Sequence, residues 1–297
     1  DGPTLESVDV YKKKSGGELL GQLFDFLDKG NRHVALRPEM TPTLARMIVA
    51  RERDFKKPMK WFCAPSFFRY EKQQRGRLRE FLQLNCDIIG DPTDNADAEL
   101  IALVIDVLRD LGLSASDFVV RLSDREAWTI FAERHGIAGE MFGPFLALID
   151  KLERMSASEV DAKLQPFGLT LDSIREFIAA PGDAAPRLTS ISKNLTARGM
   201  QDFVTIDLTI VRGLAYYTGV VFEVFDRAKN ERALAGGGRY DTLIETMSDG
   251  RVRLPALGFG MGDVVLSNLI EETTTARESR DAWLTRSSSL DAFVVIA

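Results

Sequence analysis

Residues 79–89, Arg-Glu-Phe-Leu-Gln-Leu-Asn-Cys-Asp-Ile-Ile, alternate with a period of two. Phe81, Gln83, Asn85 and Asp87 fall on one parity, and Leu82, Leu84, Cys86 and Ile88 on the other. That is the pattern of a β-strand with one polar and one apolar face, and it requires a sheet with a core on one side only. Phe67-Phe68-Arg69-Tyr70-Glu71 precedes it across a basic loop, so the two stretches read as a β-hairpin. Arg69 and Glu71 lie two apart on the first strand, and Arg77 stands at the far side of the loop. With the amides and carboxylates that follow, they form a surface suited to a phosphate at one end and a small polar molecule at the other.

The pattern changes twice along the chain. Val34 to Arg37 is strand-like; Thr41 then reads as an N-cap, with Pro42 at the first helical position and a helix continuing through Arg51. Asp94 to Leu111 is the clearest helix. Its first turn carries Asp94 and Asp97, and Ile101, Val104, Ile105, Leu108 and Leu111 form one apolar stripe. From about 124 to 200, helical patterns such as Trp128–His135 and Leu146–Met155 replace the strand signals. Strands return from Phe203: Val204–Ile210, Tyr216–Phe225 and Ala233–Ala235, followed by a glycine-rich turn into Arg239-Tyr240-Asp241. Residues 273–290 are a linker by composition. The expected class is α+β, an antiparallel sheet flanked by helices and interrupted by a helical insertion. The boundaries fall at 1–123, 124–202, 203–272 and 273–297.

The 297-residue chain carries a net charge of −6, so a nucleic acid could be met only by a local patch. Arg46, Arg51, Arg53, Lys56, Lys57 and Lys60 are such a cluster, with a solvated helix end as the plainer reading. Cys63 and Cys86 lack metal-ligand spacing and suggest no disulfide framework, which suits a reducing, cytoplasmic setting. No apolar run is long enough for a membrane span. The chain opens at Asp1 without methionine and ends on the strand-like Phe293–Ala297, as expected of a piece of a longer protein. Gly236-Gly237-Gly238-Arg239 lacks the Lys-Ser/Thr of a P-loop, and Gly258–Gly262 has the wrong spacing for a dinucleotide fingerprint. Tight turns or close backbone packing explain both. His33 and His135 are isolated, and no metal site is expected.

Four segments in order carry a resemblance. Leu36-Arg37-Pro38-Glu39-x-Thr41, Phe68-Arg69-Tyr70-Glu71 through Gln83, Arg212-Gly213-Leu214-x-Tyr216-Tyr217-Thr218-Gly219 and Gly237-Gly238-Arg239-Tyr240-Asp241 together resemble the histidyl-tRNA synthetases. These are class II aminoacyl-tRNA synthetases, whose fold is an antiparallel sheet flanked by helices. Pro3 resembles the proline closing the family's first class II motif, and Phe293–Ala297 the opening strand of its C-terminal anticodon-binding domain.

The resemblance implies that L-histidine is joined to ATP, with Mg²⁺ on the phosphates, as histidyl-adenylate and is then passed to tRNA(His). It also implies a homodimer. The histidine carboxylate is already ionised at neutral pH, so the protein must position two anions rather than supply a base. By resemblance Arg69 and Arg212 are the catalytic cations, and both also contact histidine. Glu39, Met40, Thr41, Gln83, Asp87, Tyr216, Tyr217 and Tyr240 complete the histidine site. Glu71, Arg77 and Phe81 seat ATP beside Arg69.

Three departures from the family pattern stand out. Asp87 is often glutamate, Ala215 replaces an aspartate, and Val265 occupies the place of an arginine that clamps the ATP tail in the third class II motif. A paralogue of the fold, the histidine-sensing regulatory subunit of ATP phosphoribosyltransferase, is the alternative. It would be expected to lack both Arg212 and a tRNA-reading C-terminal domain.

Overall fold

The computed structural model describes residues 2–13, 17–72, 76–152, 155–211, 216–228 and 232–287. In chain order these form β1 (Leu5–Ser7), α1 (Val8–Lys12), α2 (Gly17–Leu20), β2 (Phe24–Leu27), β3 (His33–Leu36), α3 (Thr41–Arg51), β4 (Met59–Cys63), β5 (Ser66–Phe68), β6 (Glu80–Ile89), α4 (Asp94–Asp110) and β7 (Phe118–Asp124). Five helices follow: α5 (Arg125–Arg134), α6 (Phe142–Ile149), α7 (Ala157–Leu164), α8 (Leu171–Ala179) and α9 (Pro186–Ala197). The chain then returns to strands with β8 (Val204–Ile206), β9 (Val220–Asp226) and β10 (Ala235–Arg239), and continues through α10 (Leu243–Met247), β11 (Ala256–Gly262), α11 (Asp263–Glu272) and α12 (Thr274–Ser287).

The main sheet has the order β4-β6-β11-β10-β9-β7-β8, with β5 paired to the far end of β6. Its pairs are antiparallel except β7 with β8. A smaller antiparallel sheet, β1-β3-β2, stands apart. The parity of β6 holds from Leu84 to Ile88, whereas Leu82 is 49% exposed. Leu84, Cys86 and Ile88 join Phe259, Met261, Val224 and Val120 in the core under the sheet, sealed by the Ile101, Val104, Ile105 and Leu108 stripe of α4. The opposite face carries Gln83, Asn85 and Asp87, which pair with Gly262, Gly260 and Gly258 of β11. Gly236 and Gly238 of β10 continue the row, followed by Glu223 and Val221 of β9. One face of the sheet is therefore core, and the other is a glycine-floored trough.

Several elements differ from expectation. Thr41 is the first residue of α3 rather than its cap; Met40 holds the cap position with helical backbone angles, and no side chain caps the helix. The glycine stretch 236–238 is not a turn but the middle of β10. A Cβ on Gly237 would fall 2.6 Å from both Gly258 O and Phe222 Cζ, and one on Gly238 would fall 2.7 Å from Val220 O. Close approach between strands is the reason for these glycines. β8 stops at Ile206 because Asp207 Oδ1 accepts from Thr209 N at 3.0 Å and Thr209 Oγ1 at 2.6 Å, turning the chain. β9 begins only at Val220, leaving Tyr216 and Tyr217 outside the sheet. Helix α6 starts before Leu146, at Phe142; Pro144 lies in its first turn, where a missing N–H is harmless. Most of the stretch expected as a linker is helix α12. It packs on the turn at Gly112, whose φ of +88° favours glycine and whose Cβ would meet the α12 backbone at 2.9 Å. The expected strand at 293–297 lies outside the described residues.

The basic cluster is largely neutralised. Arg46 pairs with Glu6, Arg51 with Asp54, Arg53 and Lys57 with Glu52, and Lys60 with Glu99. No helix among the described residues is long and apolar enough to cross a membrane.

Candidate functional site

A cleft of about 870 Å³ lies over the glycine trough. Glu39, Thr41, Arg69, Glu71, Arg77, Phe81, Gln83, Tyr216, Tyr217 and Tyr240 all line it, although they come from four separate segments. Glycine makes the floor possible. A Cβ on Gly258 would lie 2.1 Å from Asp87 Oδ1, and one on Gly260 would lie 2.8 Å from the Gln83 amide. The two polar side chains of β6 thus lie flat across the neighbouring strand.

At one end the groups are buried and mutually bonded. Tyr240 Oη donates to Asp87 Oδ1 at 2.5 Å, and Tyr216 Oη donates to Glu39 Oε2 at 2.7 Å. The Tyr216 ring stands edge-on to those of Tyr217 and Tyr240, with centroids 5.3 and 5.8 Å away. Burial pushes the Asp87 carboxyl up to about 7, against the Tyr240 hydrogen bond that opposes the rise. Burial also raises all three tyrosines, reinforced at Tyr216 and Tyr217 by the charge of Glu39 and at Tyr240 by that of Asp87. All three phenols therefore stay protonated, those of Tyr216 and Tyr240 donating to Glu39 and Asp87. This end offers carboxylates and phenols in a dry setting, which suits a ligand carrying its own N–H groups.

The other end is cationic. Arg69 Nε donates to Pro38 O at 2.9 Å, and its guanidinium lies over the Phe81 ring at 5.3 Å. Arg77 forms an ion pair with Glu71. A planar cation stacked on a half-buried aromatic ring that lines the cleft can take a phosphate and a flat ring side by side.

Tyr240 is aimed by its neighbour. Arg239 points to the core side of β10, where its Nε donates to both Asp97 carboxylate oxygens at 3.1 Å and its Nη2 to Oδ2 at 2.6 Å. Further bonds run to Asp91 O at 3.1 Å and Thr93 O at 2.9 Å. Strand β10 is thereby bolted to the start of α4, and the next residue emerges at the cleft.

Two residues expected in the site are not on the cleft wall itself. Met40 packs its side chain into the core with Leu44, Ile48 and Met59 and does not reach the cleft wall, because α3 begins at Thr41. Asp87 lies behind the wall, bonded to Tyr240, and is reached through it. Arg212 and Ala215 lie outside the described residues. His33 bonds Asp25 and His135 bonds the Phe131 carbonyl, both away from the cleft. Among the described residues no group of three or more His, Cys, Asp or Glu could hold a metal ion.

Among the lining residues that sequence reasoning missed are Asn85, Arg121, Glu223 and Arg232. Asn85 shares the parity of Gln83 and Asp87, and Glu223 is a lone charge in the otherwise apolar Val220–Phe225. Arg121 is likewise isolated in Phe118–Leu122. Period two places Asn85, Arg121 and Glu223 on the cleft face.

The family model for histidyl-tRNA synthetase matches residues 1–263. A histidine–tRNA ligase of Opitutus terrae is 42% identical over 292 residues, covering 91% of this chain and 66% of that protein. The chloroplastic/mitochondrial histidine–tRNA ligase of Arabidopsis thaliana is 38% identical, covering 92% of this chain and 59% of its own. The chain thus spans somewhat less than two thirds of the length of these relatives. A crystal structure from Bacillus halodurans, described as an ATP phosphoribosyltransferase regulatory subunit/histidyl-tRNA synthetase, superposes with a TM-score of 0.76 at 26% identity, covering 91% of this chain and 73% of that one. The ordered motifs, the one-sided antiparallel sheet, the cleft and the match over residues 1–263 lead to one conclusion: this chain belongs to the histidyl-tRNA synthetase family.

Proposed function

We propose that this chain is the catalytic region of a histidine–tRNA ligase, which activates L-histidine with ATP and transfers it to tRNA(His). The observation that carries the reading is the polarity of the cleft. Glu39, Asp87 and the three tyrosines gather at one end, and Arg69, stacked on Phe81, stands at the other. Glu39 and Thr41 receive the histidine ammonium group, with Gln83 close by. The imidazole lies between the Asp87–Tyr240 pair and Tyr216 and Tyr217, so an apolar amino acid would leave buried polar groups unpaired. Sites of that kind discriminate by as much as about four to five decades.

Arg69 bridges the histidine carboxylate and the α-phosphate, and Arg212 is a second cation at the reacting phosphorus. As the carboxylate attacks, charge spreads onto the phosphate oxygens and pyrophosphate leaves. Fixed cations stabilise that charge, and each such contact is worth roughly two to three decades in rate by analogy with oxyanion-hole donors. Phe81 supports the adenine ring, Glu71 and Arg77 seat ATP, and Mg²⁺ enters with the phosphates as part of the substrate.

The same proposal takes 1–123 and 203–272 as the catalytic core and 124–202 as a helical insertion. It takes 273–297 as the approach to an anticodon-binding domain, with the protein acting as a cytoplasmic homodimer.

The test is histidine-dependent exchange of pyrophosphate into ATP with the full-length protein, an amino-acid panel, and Arg69→Ala and Arg212→Ala variants. Exchange with histidine alone, lost in both variants, is expected. Tight histidine binding without any exchange would overturn the enzyme reading in favour of a histidine-sensing regulator.

A further inference from the structure

Among the described residues four arginines line the cleft, and three of these are held by protein groups. Arg69 is bonded to Pro38 O and stacked on Phe81. Arg77 is paired with Glu71. Arg121 is paired with Asp207 at 3.2 Å and stacked over Phe225 at 4.9 Å. The fourth, Arg232, is exposed at the rim.

The place of Arg232 follows from the register. Ala235, the first residue of β10, pairs with Met261, one residue before the Gly262 that opens α11. That pairing ends there, and Arg232, Ala233 and Leu234 line the same cleft as the first turn of α11. That turn presents only Val264 and Val265 to the cleft, and the anionic end of a nucleotide gains nothing electrostatic from valine. The floor there is open, since a Cβ on Gly262 would meet nothing within 4 Å. The trough thus has free space next to α11, apolar side chains on α11 itself, and the guanidinium-bearing Arg232 of the segment before β10 along the same cleft.

We propose that Arg232 is the positioning cation for the triphosphate tail of ATP, doing from the segment that leads into β10 what residue 265 cannot do from α11. This rests on the ATP-dependent reading above. A guanidinium binds phosphate oxygens through two parallel N–H donors, so one residue both neutralises and orients the tail.

The test compares Arg232→Ala, Arg232→Lys, Val265→Arg and the double variant Arg232→Ala/Val265→Arg in full-length protein. The readouts are calorimetric affinity for ATP, calorimetric affinity for histidine, and KM and kcat for ATP in pyrophosphate exchange. Arg232→Ala is expected to weaken ATP binding and raise its KM about ten- to a hundredfold, the range for one charged hydrogen-bond partner, with histidine affinity unchanged. Lysine should recover part of the loss and the double variant most of it. Unchanged ATP affinity in Arg232→Ala, or equal losses for ATP and histidine, would overturn the proposal. Wild-type protein that binds histidine but not ATP would also overturn it while leaving the histidine site standing. Protein that binds neither would remove the proposed function itself, and this inference with it.

Discussion

The Asp87 carboxylate lies where a side chain on Gly258 would be, with only 2.1 Å between Asp87 Oδ1 and the Cβ position of its cross-strand partner. An acidic residue on a central strand normally stands up from the sheet. Here it lies over the next strand and meets the Tyr240 hydroxyl at 2.5 Å. The pairing of a carboxylate on β6 with a glycine on β11 is thus a condition of the site's geometry.

Gly258→Ala tests that condition. The methyl group must push Asp87 aside, detaching it from Tyr240. Histidine affinity is expected to fall about ten- to a hundredfold, the loss attached to one charged hydrogen bond. Gly262→Ala on the same strand meets nothing within 4 Å and should leave histidine affinity within about twofold. Calorimetric titration of both folded variants decides the matter, and equal affinities would sink the account.

Asp87 also predicts a pH dependence. Its carboxyl rises from 3.8 to about 7 on folding, because burial disfavours the charged form. Between about pH 4 and 7 the folded protein therefore holds a proton that the unfolded chain has released. Stability of the ligand-free protein should fall as pH rises through that window, with no further pH dependence from this group below or above it. Asp87→Asn should flatten the slope in urea unfolding at pH 5 and pH 8. Histidine binding near pH 6.5 should release a proton as the carboxylate takes an imidazole N–H, making the binding enthalpy depend on the buffer. An identical slope in Asp87→Asn would reject this assignment.

Arg239 and Asp97 form the buried pair beneath the sheet, about 1% and 3% exposed. Removing the acid strands a guanidinium in the core, so Asp97→Ala is expected to cost about 3–5 kcal/mol in chemical unfolding. Because Arg239 fixes the strand that aims Tyr240, histidine affinity should fall as well. Arg239→Met, which fills the space without a charge, should cost less. The reverse order would show that the pair is not what ties β10 to α4.

Where period and chemistry agreed, the sequence was readable. The parity of Gln83 and Asp87 predicted one polar and one apolar face on β6, and the stripe of α4 predicted what covers the apolar one. Gly236–Gly238 misread as a turn because glycine's local preference was overruled by tertiary contact: those residues exist to let β9, β10 and β11 approach. Arg239 escaped notice as a structural anchor, since its partner Asp97 lies 142 residues away, and no local pattern links them. Met40 carried over from the family motif, but its side chain turned inward with the first turn of α3. Arg121 and Glu223 were legible in principle as lone charges on apolar strands, but their meaning depends on strand neighbours that only the fold supplies.

The last test concerns the junction between sheet and helices. Asp124 ends β7 and caps α5, its Oδ1 accepting from Glu126 N at 2.9 Å. Burial raises its carboxyl to about 6, although the Glu126 N–H opposes the rise. Its cap is therefore useful as an acceptor, while its charge is disfavoured by the surroundings. Asp124→Ala should lower stability by about 1 kcal/mol through loss of the cap. Asp124→Asn keeps an acceptor without the charge, so at pH 8 it should match or exceed the wild type in urea unfolding. Both should remove the decline in stability that this group contributes as pH rises from about 4 to 6. If Asp124→Asn instead falls as far as Asp124→Ala, the charge itself, acting on the amino-terminal end of α5, is what holds the helix to the sheet.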